Sequence, residues 1–288
     1  MFLARGCAFF AASSFLTVMS TAAFGATLTG TQRNIEFARP EGTPLYLDAS
    51  IPFGAGPFPA VIVVHGGAWV RGDRRTDVAP LFKPLEAADI AWFSIDYRLS
   101  NDILHFGAAI DDVRDAVRFV RGHASEYRID PDRIALVGES AGGQLAAMAA
   151  LDPTPDAQVR AVVALYTPTD LVQLAEESTF VPQQIRDSLR GTPLENLLLA
   201  RLRQLSPVDN VKPDSPPFLL IHGTDDALVP FAQSRAMCDR MKAAGASCEL
   251  FPVEGGGHGI RWWESARPRE AQAYKNEMVR WLKRELAD

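Results

Sequence analysis

Basic residues, cysteines and long apolar runs are all scarce in this 288-residue chain. Its 29 Lys and Arg are outnumbered by 35 Asp and Glu, for a formal charge of −6. No nucleic-acid partner is expected, because such proteins carry a basic face that neutralises phosphates. Three cysteines are too few for a disulfide-framed scaffold. Neither a CxxC pair nor HExxH occurs, so no metal is expected. After residue 25 no run approaches the roughly 20 apolar residues that a membrane-spanning helix needs. What is present, 47% hydrophobic and 22% charged residues, is ordinary for a globular protein with a large core, and the length allows one or two domains.

The first 25 residues differ from the rest. Arg5 is their only charge, Ala8–Met19 is almost wholly apolar, and the small residues Ala23 and Gly25 precede Ala26. A charged start, a short apolar stretch and a small-residue exit read as a secretory signal peptide over residues 1–25. That reading places the mature chain in the periplasm or outside the cell, with no stable membrane anchor. In such a compartment Cys238 and Cys248 can oxidise. A disulfide and two buried thiols both remain open, and the Cα separation decides between them.

From residue 60 onward, short apolar runs alternate with helical patterns. The runs are Ala60–Val64, Ile90–Ile95, Arg133–Val137, Val159–Leu165, Phe218–Ile221 and Cys248–Val253. Bounded by turn signals, they suit strands buried on both faces of a parallel sheet. Ala108–Val120 places Ile110, Val113, Val117 and Val120 on one helical stripe; Gln144–Leu151, Phe231–Ala244 and Arg269–Leu286 also read as helices. Upstream, Asn34–Ala38 and Leu45–Ile51 are expected as two antiparallel edge strands. The alternation predicts a doubly wound, mostly parallel α/β sheet. Asp170–Pro217 breaks the rhythm, with helical patterns at Val181–Leu189 and Glu195–Leu205 and no strand. A connection of that length is expected to form a helical cap, at about residues 170–216.

Gly138-Glu139-Ser140-Ala141-Gly142 matches G-x-S-x-G between an expected strand and an expected helix. Glycines flank the serine because the turn there is too tight for side chains, and the turn lifts the hydroxyl out at the sheet's carboxyl edge. A serine hydroxyl needs a base and an orienting carboxylate to become a nucleophile. With chain order serine, acid, histidine, only His222 and His258 follow Ser140. His258, in a glycine-rich loop after the last strand, is the expected base. His222 and His123 are expected to be structural or surface histidines. Asp226 is the expected acid, ahead of Asp225, which lies nearer its strand and could brace the turn instead. Acylation needs the imidazole neutral, so kcat/KM should rise with a one-proton dependence between about pH 6 and 8. His65-Gly66-Gly67-Ala68-Trp69 ends the first core strand, and its backbone N–H groups can serve a tetrahedral oxyanion. Gly67, Ala68 and Ala141 are the expected donors, with His65 a loop brace.

Taken together, HGGAW at 65–69, DYRLS at 96–100, GESAGG at 138–143, HGTDDALVP at 222–230 and GGGHG at 255–259 resemble the α/β-hydrolase carboxylesterases. The likeness is to the feruloyl-esterase and kynurenine-formamidase-like branch, near the hormone-sensitive-lipase-like group, over about residues 33–285. The resemblance implies an α/β-hydrolase domain over residues 26–288, the triad Ser140–Asp226–His258, and cofactor-free hydrolysis of a small-molecule ester. Two departures are visible: the loop reads HGGAW where the family often has HGGG, and Asn101-Asp102 replaces a usual Pro-Glu. Asp96, Tyr97 and Arg98 are expected to form a structural network under the oxyanion loop. Trp69 is expected to line the substrate pocket, with Trp262 and Trp263 either pocket or core. The leading expectation is a secreted or periplasmic serine carboxylesterase acting on small or plant-derived esters. The alternatives are an aryl formamidase and a non-catalytic binding protein on a hydrolase scaffold.

Overall fold

A computed structural model describes residues 30–100, 106–177 and 183–287. The signal-peptide reading and the Asn101-Asp102 departure therefore lie outside the described residues. Strands β1 (Gly30–Ala38), β2 (Leu45–Ile51) and β3 (Phe58–Val64) lead into helix α1 (Ala79–Glu86) and strand β4 (Ala91–Ile95). Helices α2 (Phe106–Gly122) and α3 (Ala124–Tyr127) precede β5 (Ile129–Glu139), α4 (Ser140–Leu151) and β6 (Ala161–Leu165). Then come α5 (Leu171–Glu177), α6 (Gln183–Leu189) and α7 (Pro193–Gln204). The chain closes with β7 (Phe218–Gly223), α8 (Phe231–Ala243), β8 (Cys248–Val253), α9 (Ile260–Ala266) and α10 (Pro268–Glu285).

The strands form one eight-stranded sheet in the order β1-β2-β4-β3-β5-β6-β7-β8. β1–β2 and β2–β4 are antiparallel and every other pairing is parallel. This is the α/β-hydrolase arrangement expected from the sequence. Alternation along each strand divides the core into two layers, since successive side chains leave opposite faces of a sheet. Ala60, Ile62 and Val64 join Ile134, Leu136, Val162 and Ala164 in a layer with α2, α4 and α8. Val61 and Val63 join Ala135, Val137, Val163 and Ile221 in the other, with α1 and α10. Continuous apolar runs are what a sheet covered on both faces requires.

One expectation needs correction: β2 is not an edge strand. β1 pairs with its outer side and β4 with its inner side, and Leu47, Ala49 and Ile51 are fully buried, so β1 alone forms that edge. Some boundaries also move. β5 starts at Ile129 rather than Arg133 because Phe58 of β3 pairs with Ile129. α1 was not anticipated; Pro80 and Pro84 obscure its pattern.

Residues 170–216 hold α5, α6, α7 and a 3-10 turn at Pro207–Asn210. Their two ends are rooted in the body of the fold. The Asp170 N–H donates to Gln233 Oε1 of α8 at 3.1 Å, and Gln144 Nε2 of α4 donates to the Leu205 carbonyl at 2.7 Å. Among the described residues, no helix is long and apolar enough to cross a membrane.

Cys238, near the end of α8, and Cys248, at the start of β8, form a disulfide with a Cα separation of 5.2 Å. The ring they close is short, so its effect on the unfolded chain is modest. Replacing both with Ser is expected to lower stability by about 2–3 kcal/mol. Urea unfolding of the double variant measures this, and an unchanged midpoint would show the bond to be thermodynamically idle.

Candidate active site

β5 runs directly into α4 at the serine, which leaves Ser140 in the left-handed region at φ 49°. Glycine is required around it. A Cβ on Gly142 would strike the His65 carbonyl, and one on Gly143 would strike Thr167 Oγ1. This is the tight strand-to-helix turn inferred from G-x-S-x-G. It aims Ser140 Oγ at His258 Nε2, 3.0 Å away.

The expected base, His258, comes from the loop between β8 and α9. His258 Nδ1 lies 2.7 Å from Asp226 Oδ2. A carboxylate can only accept, so Nδ1 carries the hydrogen and Nε2 is left bare to accept from the serine hydroxyl. The other oxygen, Asp226 Oδ1, accepts from the Leu228 and Val229 N–H groups at 2.9 Å each. Burial alone would push the Asp226 carboxyl up. The hydrogen bonds from the two histidines, the charge interaction with His258 and the Val229 N–H outweigh it and hold the carboxyl well below its ordinary range. Asp225 is exposed and bonds through its own N–H to the Gly256 carbonyl at 2.9 Å, so it braces the turn. The structure thus brings Ser140, His258 and Asp226 together.

The loop after β3 has its own strained backbone, with positive φ at Gly67 (113°), Ala68 (53°) and Trp69 (64°). At Gly67 a Cβ would collide with the Arg71 backbone. Among the described residues nothing accepts from the Gly67, Ala68 or Ala141 N–H groups. The loop is braced from beneath as the sequence suggested. Tyr97 Oη donates toward the His65 and Gly66 carbonyls at 3.1 and 3.2 Å, and the His65 ring stacks on Tyr97. Asp96 holds the buried Arg74, which also binds Asp48, and Arg98 pairs with the fully buried Asp112.

Glu139 was missed by sequence reasoning, because the motif leaves that position unspecified. It is buried. Its Oε1 accepts from the Gly66 N–H at 3.0 Å and its Oε2 accepts from the Tyr166 hydroxyl. Tyr166 Oη in turn accepts from the Ile260 N–H at 3.2 Å. One carboxylate therefore ties the oxyanion loop, the serine turn and the base loop together. Burial pushes its pKa up, against the hydrogen bonds that favour the charged form. Glu139→Ala would strand two buried donors but also relieve the cost of burying a carboxylate, for a net loss of about 1–3 kcal/mol. Denaturant unfolding tests this; a loss below about 0.5 kcal/mol would place Glu139 with ordinary surface positions.

A cavity of about 490 Å³ opens beside the base, lined by Gly67, Arg71, Asp77, Glu139, His258 and Trp262 among others. Trp69 does not line it. Its indole N–H donates to Gln144 Oε1 at 2.9 Å and its ring stacks on Phe106, which holds it against α2 and α4. Trp262 does line the cavity. Trp263 is core, fully buried edge-on to Tyr166 and Tyr274, and its N–H fixes the base loop through the Gly257 carbonyl at 2.8 Å.

Comparison with known proteins bears on the fold and the family. The BD-FAE family model matches residues 45–241. The esterase LipC of Mycobacterium tuberculosis is 32% identical over 73% of this chain and 55% of its own length. The esterase LipQ of the same organism is 34% identical over 66% of this chain and 47% of its own. This chain thus spans about half the length of the curated relatives it matches. Among solved structures, a thermophilic esterase from Thermogutta terrifontis superposes with a TM-score of 0.72 at 26% identity, covering 90% of this chain and 93% of that one. The same esterase is also known phosphorylated by paraoxon. With the sheet order, the serine turn and the family model in agreement, the chain belongs to the BD-FAE family and has the α/β-hydrolase fold.

Proposed function

We propose that the protein is a serine carboxylesterase of small-molecule esters, with Ser140, His258 and Asp226 as its triad. The observation that carries this reading is the unbroken path from Ser140 Oγ to His258 Nε2 at 3.0 Å and from His258 Nδ1 to Asp226 Oδ2 at 2.7 Å. Ser140 gives its proton to His258 Nε2 as Oγ attacks the ester carbonyl carbon. The developing oxyanion is received by the Gly67, Ala68 and Ala141 N–H groups, which are rigidly held before the substrate arrives. Collapse expels the alcohol, which takes the proton back from Nε2 and leaves an acyl-enzyme on Ser140. Water then loses a proton to His258 and attacks the acyl carbon. The carboxylic acid departs as Oγ recovers the proton, and Asp226 stays ionised throughout.

Residues 170–216 would cap the cleft and set acyl and alcohol preference. Export belongs to the same proposal, since the first 25 residues have the signal-peptide pattern; N-terminal sequencing of exported protein should begin at Ala26. The decisive experiment is a hydrolysis screen across p-nitrophenyl acyl chains, feruloyl and acetylated-sugar esters, and N-formylkynurenine. Turnover of carboxylic esters is expected. A preference for the formamide, or no turnover of any ester, would overturn the proposal.

A further inference from the structure

His222 ends β7 with no part of its side chain exposed, and a structural histidine is all that the sequence suggested there. The structure surrounds it with polar partners. Nε2 lies 2.9 Å from the Val229 carbonyl and 3.3 Å from Asp226 Oδ2, the oxygen that also holds His258. Nδ1 lies 2.6 Å from Ser234 Oγ, on α8 and itself buried. A carbonyl and a carboxylate can only accept, so Nε2 must carry a hydrogen whichever state the ring is in. In the neutral ring, the Ser234 hydroxyl donates to Nδ1 and locks that tautomer. The N–H is aimed chiefly at Val229, with the carboxylate as its longer, second neighbour.

We infer that His222 is a positioning residue for the base: its Nε2–H, fixed by Ser234, shares the Asp226 oxygen with His258 and moderates how strongly that oxygen holds the catalytic ring. The effect is electrostatic as well as geometric. Each donor on Oδ2 draws off part of the charge that the other would feel. Phe231 of α8 meets His222 edge-on, and the Arg235 guanidinium of the same helix lies over the Phe231 ring, 5.4 Å from its centroid. His258 is faced by Asp226, by Ser140, by the edge of Tyr166, and at longer range by Glu139. Asp77, Arg71 and Arg261 stand with it around the cavity. Replacing His222 or Ser234 leaves all of these residues in place.

The inference rests on the proposed triad, and its test separates the two. His222→Leu, His222→Gln and Ser234→Ala are made in the full chain. Two measurements follow: the acid limb of kcat/KM, and the proton NMR titration of the His258 Nδ1–H in the resting protein. Without the second donor, Asp226 holds protonated His258 more tightly. His222→Leu is therefore expected to move the limb and the NMR titration upward by about half to one pH unit. His222→Gln, which can return an N–H to the Nε2 position, should bring both back toward wild type. Ser234→Ala should shift both upward by less, and it decides the matter if the leucine variant does not fold. A lowered melting temperature with limb and titration unmoved would make His222 a packing residue and overturn the inference. Absence of esterase turnover in the parent protein would instead sink the proposed function, and the NMR titration would still read the shared carboxylate.

Discussion

Ser140→Ala is expected to lower kcat for ester hydrolysis by about a million-fold while leaving the fold intact, which is what removing a triad nucleophile does elsewhere. The methyl group occupies the same space at the start of α4, and an alanine tolerates φ 49° about as well as the serine it replaces. His258 would keep its bond to Asp226 but would have no proton to accept. The residual rate would be that of the oxyanion donors and substrate binding alone. Labelling by paraoxon should stop in the same variant, because the phosphoryl group has no other activated hydroxyl to receive it. Residual turnover within about a hundredfold of wild type, or undiminished labelling, would mean that the nucleophile is elsewhere.

Asp226→Asn is expected to lower kcat by about 10⁴. The reason lies in the two backbone donors on Oδ1. Leu228 and Val229 N–H require an acceptor there, so an asparagine would place its carbonyl on that side and its amide nitrogen where Oδ2 was. That nitrogen donates to His258 Nδ1, and the ring hydrogen is driven to Nε2, facing the serine it should deprotonate. Asp225→Asn should change the rate by less than about threefold, as expected for an exposed side chain away from the reacting atoms. The reverse ranking would reassign the acid.

The depressed Asp226 carboxyl also has a thermodynamic signature. Its pKa is lower in the folded state than in the unfolded chain. The stabilisation it contributes is therefore full above the ordinary carboxylate value, about pH 4, and is lost as pH falls through the lower folded value. Asp226→Asn should remove that part of the acid dependence, which urea midpoints measured from about pH 2 to pH 5 would read.

Much of the site was legible in the sequence because its requirements are local. A serine that must sit between a strand and a helix needs glycine on both sides, so 138–143 identified itself. The parallel sheet was legible for a related reason: strands covered on both faces must be mostly apolar, and β3, β4, β6 and β7 are. Chain order and the loop after Cys248–Val253 singled out His258. Asp225 and Asp226 were harder, since adjacent residues share the same neighbours in sequence. The structure separates them because a one-residue step in the turn after β7 buries one carboxylate and exposes the other.

What the sequence alone indicated was the core strands, most of the long helices and the candidate reacting groups, because periodicity and turn chemistry are written over a few residues. Only the tertiary structure decided that β2 lies inside the sheet, that Cys238 and Cys248 are bonded, and that Trp262 rather than Trp69 walls the cavity. The same holds for Glu139 under three loops and for His222 on the Asp226 oxygen. Each of these depends on which side chains meet across the fold. Such meetings join Glu139 to Gly66 and Trp69 to Gln144, residues more than seventy positions apart in the chain. Hydrogen bonds and burial act through space at about 3 Å, and no pattern of neighbours along the chain encodes that distance.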